Sequence, residues 1–199
     1  MRAVFLDRDG CLNEDWFNPA TGAWESPISP EDLVLRPGVP AALRRLQANG
    51  WALFLVSNQP SFAKGKCRLE DLRAVHARFA ALMDEAGIVF ADYYYSHHHP
   101  DGVVPGYSGP SPDRKPNPYF LHRAAERHGV DLAASWVVGD RDTDVEFGRR
   151  GGVRTIQVAN PHAGAYAGWE QPDHRADDIL AAAEIIIHSN VRDPHALAQ

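Results

Sequence analysis

Short apolar runs alternate with amphipathic segments along most of the chain, a pattern that predicts βαβ units and a parallel sheet. Ala3 to Leu6 reads as a buried strand. Val39, Ala42, Leu43 and Leu46 recur at i, i+3, i+4 and i+7, so they predict one face of a helix, which Gly50 ends. Trp51 to Val56 predicts the second strand. Leu69, Leu72, Val75, Phe79, Leu82 and Met83 form the stripe of a longer helix that closes near Gly87. Ile88 to Tyr95 predicts a third strand, with polar Asp92 in its middle. Asn117-Pro118 reads as a helix start, Asn as cap and Pro in the first turn, for a helix running to about Gly129. Ser135 to Val138 is the fourth expected strand and Val153 to Val158 the fifth. A short helix from about Thr143 to Arg150 lies between them, and Asp177 to His188 predicts a closing helix. The expected fold is α/β, a Rossmann-like, doubly wound, mostly parallel sheet. It fills a single domain over residues 1–190, with a flexible tail over 191–199.

Two long irregular stretches break this rhythm, Asn13 to Arg36 and Ser96 to Lys115. Long loops in a compact domain are usually functional or disordered. The first carries Trp16, Phe17 and Trp24, too many aromatics for a plain linker, and the second is rich in Gly, Pro, Ser and His. There is no internal repeat and no sign of a second domain.

A chain of 199 residues suits one domain. With 44% apolar and 23% charged residues, disorder of the whole chain is excluded. The formal charge of −6 argues against broad nucleic-acid binding, but a few local cations can hold a small phosphorylated substrate whatever the global sign. Cys11 and Cys67 are the only cysteines, so there is no disulfide framework and no metal-type pair. The opening run Ala3-Val4-Phe5-Leu6 is too short for a signal peptide's apolar core, and no later stretch is long enough to span a membrane. The expectation is a reduced, cytoplasmic protein without nucleic-acid or membrane partners.

The candidate chemistry sits where the expected strands end. The first strand runs into Asp7-Arg8-Asp9-Gly10. In open parallel sheets ligands bind at the carboxyl edge. Asp7 can serve there as a carboxylate nucleophile, and Asp9 as the acid that protonates a leaving oxygen and later activates water. Gly10 lets the backbone turn sharply. The alternative is a solvated turn with a structural acid pair. The second strand runs into Ser57-Asn58-Gln59, whose hydroxyl and amides can hold phosphate oxygens, though a strand-end Ser is also common in ordinary caps. Arg114-Lys115-Pro116 precedes a helix. Lys115 can neutralise both Asp7 and a transferring phosphoryl group, unless the pair is simply solvated. The fourth strand runs into Gly139-Asp140-Arg141-Asp142-Thr143-Asp144, where acids offer hard oxygens suited to Mg²⁺. Asp142 also fits a helix N-cap.

Together these four motifs resemble the haloacid dehalogenase superfamily of phosphohydrolases, over Val4 to about Ile156. Phe5 to Gly10, Ser57-Asn58-Gln59 and Arg114-Lys115-Pro116 are most similar to the branch that contains heptose bisphosphate phosphatases and histidinol phosphatases. The resemblance implies a capless core and phosphoryl transfer through an aspartyl-phosphate. It implies Asp7 as nucleophile and Mg²⁺ ligand, Asp9 as general acid/base with its carbonyl on the metal, and Asp140 as the third ligand, supported by Asp144. Arg8, Ser57, Asn58, Gln59, Lys64, Arg114, Lys115 and Arg141 become the expected phosphate- and substrate-binding residues, Arg114 reaching the sugar or a distal phosphate. Lys66 and Arg68 are further candidate cations.

The branch usually carries a zinc-stapled loop, Cys-x-His and later Cys-x-Cys. Here the matching residues are Ser96-His97-His98 and Ser111-Pro112-Asp113, so no structural zinc is expected. His97, His98, His99 and Asp113 could bind a metal adventitiously. Prolines 100, 105, 110 and 112 and packing of Tyr107 are the expected supports of the loop. The expected substrate is a small phosphorylated metabolite, foremost a heptose 1,7-bisphosphate losing its 7-phosphate. Histidinol phosphate is the alternative, and Glu14 and Asp15 could meet its cationic end. Phosphate-terminated DNA is disfavoured by charge. From other classes, a phospho-accepting receiver-like domain and a non-catalytic binding protein remain alternatives. A monomer is expected.

Overall fold

Ala3–Leu6 forms strand β1, and its alternation decides which side of a sheet each residue faces. Val4 and Leu6 join one apolar cluster, Ala3 and Phe5 another, and all four are fully buried. A strand apolar on both faces belongs inside a parallel sheet with helices on both sides. The computed structural model, which describes residues 1–163 and 171–189, has that architecture.

After β1 come the hairpin strands β2 (Trp16–Asn18) and β3 (Ala23–Glu25), then helix α1 (Val39–Ala48), β4 (Ala52–Asn58), α2 (Leu69–Glu85) and β5 (Phe90–Ser96). There follow α3 (Tyr119–His128), β6 (Trp136–Gly139), α4 (Asp142–Arg150), β7 (Arg154–Val158), β8 (His174–Ala176) and α5 (Ile179–Ser189). The main sheet has the order β5-β4-β1-β6-β7-β8, with every neighbouring pair parallel. The chain first winds outward from β1 through β4 to β5, then returns to place β6 on the other side of β1. The strand order therefore reverses beside β1, and such a switch point leaves a crevice at the carboxyl edge.

The apolar stripe of α1 (Val39, Ala42, Leu43, Leu46) packs with α2 and α5 on the Val4/Leu6 face. Phe120, Leu121 and Ala124 of α3 and Phe147 of α4 cover the Phe5 face. On that side Phe54 stacks on Phe5 at 5.1 Å and Tyr94 on Phe120 at 4.9 Å between ring centroids. Each such buried side chain contributes roughly 1.5–3 kcal/mol relative to exposure.

The differences from expectation are local. Pro118, not Asn117, occupies the N-cap position of α3, and Asn117 Nδ2 instead donates to the Ser111 carbonyl at 3.1 Å. Asp142 is the first residue of α4 rather than its cap, and Asp144 Oδ2 accepts from the Arg141 N–H at 3.1 Å to close that helix start. The Asn13–Arg36 stretch contains the β2–β3 hairpin and a 3-10 turn (Pro30–Asp32), and β8 adds an edge strand. The tail expected over 191–199 lies outside the described residues. Among the described residues no helix is long and apolar enough to cross a membrane.

Candidate active site

β1 ends at Leu6, so Asp7 is the first residue beyond it, and β6 ends at Gly139, so Asp140 stands beside it. Asp144 follows one turn into α4. Carboxylate oxygens of Asp7, Asp140 and Asp144 lie within 4.8 Å of one another, and all three residues are buried. Gly139 makes this approach possible, since a Cβ there would sit 2.4 Å from Asp144 Cγ. Lys115 reaches in from the loop before α3. Its Nζ lies 2.8 Å from Asp7 Oδ1 and 2.6 Å from Asp144 Oδ1, and it donates to the Val56 carbonyl at 2.8 Å. Asn58 fixes that lysine by its backbone, with Nδ2 donating to Lys115 O and Oδ1 accepting from Lys115 N, both at 3.1 Å.

Three buried carboxylates against Lys115 and Arg141, whose Nε stands 3.8 Å from Asp140 Oδ2, still leave excess negative charge. Burial pushes the Asp7 carboxyl up to about 6, opposed by Lys115 and helped by Asp144 and Asp9. Burial, with Asp7 and Asp144 adding to it, raises Asp140 well above the usual carboxylate range. Lys115 is driven upward despite its burial, because Asp144 and Asp7 favour its charged form. Asp140 Oδ1 is buried with neither a hydrogen-bond partner nor a lysine beside it, whereas Asp144 Oδ1 has Lys115 Nζ at 2.6 Å. A buried cluster of hard oxygens with surplus negative charge and an unsatisfied carboxylate oxygen fits Mg²⁺. Among the described residues this is the one such grouping of acids, histidines or cysteines; the histidines of the 97–99 run do not form another.

A cleft of about 360 Å³ opens over the cluster and is lined by Asp7, Asp9, Ser57, Asn58, Lys115 and Asp144. Lys64, Arg114 and Arg141 also line it, Arg141 beside the acids with its Nε 3.8 Å from Asp140 Oδ2. Burial and the neighbouring charges of Lys66 and Arg114 hold the Lys64 ammonium below its ordinary value, and burial with Arg141 does the same to Arg114. These cations therefore crowd one another and would gain from an anion between them.

Two expected substrate contacts go elsewhere. Arg8 is 1% exposed and donates to Asp9 and to Gln59 Oε1, while Gln59, also 1% exposed, donates from Nε2 to Asp9 Oδ2 and Ser57 Oγ. Neither lines the cleft, and both hold Asp9 by their side chains. Among the other candidate cations, Lys66 is taken by Glu25 at 2.6 Å and Arg68 by Asp71 at 2.8 Å, so neither lines the cleft. The acids considered for a cationic substrate do not line it either. Glu14 stands 4.0 Å from Arg36, and Asp15 is buried against Asn160. Sequence reasoning missed Ser26, His99 and Thr143 on the cleft wall, and Asn160 beside Asp140.

The second long loop is held by its own polar side chains. Ser96 Oγ and Ser111 Oγ donate to Asp113 Oδ1 at 3.0 and 2.5 Å, and His98 Nδ1 lies 3.5 Å from the same oxygen. Tyr107 packs between Phe62 (4.8 Å) and His98 (5.3 Å). Arg114 Nη1 donates to the His98 carbonyl at 3.0 Å, which ties a cleft cation to this loop.

The chain is similar to several characterised groups. A family model described as HAD-hydrolase-like matches residues 113–182. A D-glycero-D-manno-heptose-1,7-bisphosphate 7-phosphatase of Thermosynechococcus vestitus is 38% identical over 196 residues, spanning 92% of this chain and 94% of that one. A D-glycero-beta-D-manno-heptose-1,7-bisphosphate 7-phosphatase of Mesorhizobium japonicum is 31% identical over 192 residues, 94% and 85% of the two chains. Among solved structures, a D,D-heptose 1,7-bisphosphate phosphatase from B. bronchiseptica, complexed with magnesium and phosphate, superposes with a TM-score of 0.79. It is 27% identical and covers 95% of this chain and 99% of that one.

Proposed function

The chain belongs to the haloacid dehalogenase-like phosphatases, and from that premise we propose that it removes the 7-phosphate of a heptose 1,7-bisphosphate through an aspartyl-phosphate on Asp7. The observation that carries this reading is that Asp7 lines the cleft beside Lys115 and two further buried acids, with Lys64, Arg114 and Arg141 lining the same cleft.

Asp7 attacks phosphorus in line, the ester P–O bond breaks, and Asp9 passes a proton to the departing sugar oxygen. Asp9, now a base, takes a proton from water, which attacks the aspartyl-phosphate. Inorganic phosphate leaves and the Asp7 carboxylate is restored. Lys115 stabilises the charge shared by the nucleophile and the phosphoryl oxygens, and Ser57 and Asn58 line the cleft where those oxygens sit. Asp7, Asp140 and the Asp9 main-chain carbonyl would hold Mg²⁺, with Asp144 in support, and the ion when bound lowers the repulsion between an anionic nucleophile and an anionic ester.

A bisphosphate is favoured over histidinol phosphate because, beyond the catalytic acids, the charged residues that line the cleft are the cations Lys64 and Arg114, with Arg141 beside Asp140, and, among the described residues, no further acid. The second anionic end finds cations there, whereas an ammonium would meet repulsion. Asp9, an intact acid/base two residues beyond the nucleophile, argues against a receiver-like or non-catalytic role.

The test is Mg²⁺-dependent phosphate release from both anomers of heptose 1,7-bisphosphate and from histidinol phosphate, with Asp7→Asn as control. Preference for a heptose bisphosphate, abolished by the substitution, is expected. Activity retained by Asp7→Asn, or preference for histidinol phosphate, would sink the proposal.

A further inference from the structure

Asn160 lies outside all four motifs, and Asp15 belongs to the first long loop. The fold brings them together at the metal cluster. Asn160 Nδ2 donates to Asp140 Oδ2 at 2.7 Å and to Asp15 Oδ2 at 2.8 Å. Asn160 Oδ1 accepts from the His162 N–H at 3.0 Å. This pattern fixes the amide's orientation: a flip would set its oxygen against two carboxylates and its NH₂ against an N–H. The amide is therefore committed, with both of its protons given to acids.

The surroundings lock it further. Ala163 N donates to Asn160 O at 3.2 Å, and Arg36 bridges the Ala159 carbonyl (3.0 Å from Nη2) to the Gly10 carbonyl. The His162 ring stacks on Trp24 of the hairpin at 3.7 Å and 13°. Gly10 leaves the room: a Cβ there would come within 2.3 Å of Asn160 Nδ2 and 2.5 Å of Asp140 Oδ2, and its φ is +78°. The glycine of the first motif thus allows this contact as well as the turn.

With Oδ2 hydrogen-bonded to Asn160 and 3.8 Å from Arg141 Nε, Asp140 keeps Oδ1 buried and without a hydrogen-bond partner. Outer partners that orient a ligating carboxylate commonly change metal affinity by about 10–100-fold when removed. We propose that Asn160, itself held by Asp15, is a positioning residue that occupies one oxygen of Asp140 and so presents the other to Mg²⁺. The inference rests on reading Asp7, Asp140 and Asp144 as the Mg²⁺ centre.

The test is direct binding of Mn²⁺ to the full chain, followed by electron paramagnetic resonance without substrate. Thermal melting monitors the fold. Asn160→Ala is expected to weaken Mn²⁺ binding about tenfold or more while folding as the parent does, and its phosphatase activity is expected to recover at high Mg²⁺. Asp15→Ala is expected to weaken binding several-fold, whereas Asp15→Asn, which keeps an acceptor for the amide, stays near the parent. Binding within about twofold of the parent in a folded Asn160→Ala variant overturns the inference. If that variant does not fold, the contrast between Asp15→Ala and Asp15→Asn decides by the same criterion. A parent that binds no Mn²⁺ overturns the metal-centre reading and this inference together, and so differs from the case in which only the variants match the parent.

Discussion

Arg8 and Asp9, neighbours in sequence, form a buried ion pair in which Nε donates to Oδ1 at 3.0 Å and Nη2 to Oδ2 at 3.3 Å. Asn13 and Gln59 add two more donors to the same carboxylate. Burial alone would raise Asp9, but Arg8 and these donors hold it below the usual carboxylate range. The resting protein therefore carries Asp9 in its base form, ready for the hydrolytic half of the reaction. The acid form needed for the first half must be acquired as the phosphate ester enters.

Replacing Arg8 by Met should leave an unpaired buried carboxylate, costing about 3–5 kcal/mol in urea denaturation at neutral pH. Asp9 is depressed in the folded state, so this stabilisation is full above its unfolded pKa, about 4, and is lost as pH falls through its lower folded value. The gap between parent and Arg8→Met should narrow in acid. A gap that stays constant with pH would assign the loss to packing alone.

Asp7 titrates in the opposite sense. Its folded value of about 6 means that the metal-free protein holds an extra proton between about pH 4 and 6, so its stability falls as pH rises through that window. Magnesium competes with that proton. Apparent Mg²⁺ affinity should fall at least about tenfold per unit as pH drops below 6, because Asp140 is raised as well and its proton also competes, read by metal titration across the range. Affinity flat to pH 5 would place the titrating group elsewhere.

The catalytic positions were legible because each follows an apolar run whose periodicity marks a strand: Asp7 after Leu6, Ser57 after Val56, Asp140 after Gly139. Where the strand ends, the carboxyl edge begins, and an acid there has few structural duties. Loop-to-loop meetings were not legible. Asn160 and Asp15 are 145 residues apart, and no local pattern encodes their contact. The β2–β3 hairpin escaped notice because its strands have three residues each, too short for a period to show. Arg8 and Gln59 are expected at the substrate because they stand within the first two motifs, yet they turn inward to hold Asp9, a choice of side that the spacing of the motifs does not encode.

The remaining cations of the cleft should separate the two ends of the substrate. Lys64 and Arg114 line it, and neither is shifted by Asp7, Asp140 or Asp144, so the proposed binding mode gives them the distal phosphate and not the reacting one. Arg114→Ala should raise KM for a heptose 1,7-bisphosphate about tenfold, the scale of a lost charged hydrogen bond, and leave kcat nearly unchanged. For a monophosphate lacking the distal group, KM should barely move. Equal losses on both substrates would assign Arg114 to the transferred phosphate instead.

Asp113 is the last and most distinctive of these levers. Its Oδ1 collects the hydroxyls of Ser96 and Ser111 and stands 3.5 Å from His98 Nδ1, so the four positions that match the zinc ligands of the resembling branch are joined around one carboxylate oxygen. A chelator selective for zinc over magnesium should therefore leave the melting temperature of the Mg²⁺-saturated protein unchanged, and a drop would reveal a bound metal in the loop. Asp113→Ala removes the shared acceptor from two part-buried hydroxyls, each worth about 0.5–1.5 kcal/mol, and frees the segment whose His98 carbonyl holds Arg114. The variant should melt earlier and show a raised KM for the bisphosphate while hydrolysing a simple monophosphate at the parental rate. Asp113→Asn keeps an oxygen to accept from the serines, so it should fall between the two. If Asp113→Ala impairs both substrates alike, the loop supports the catalytic acids and not the distal end of the substrate.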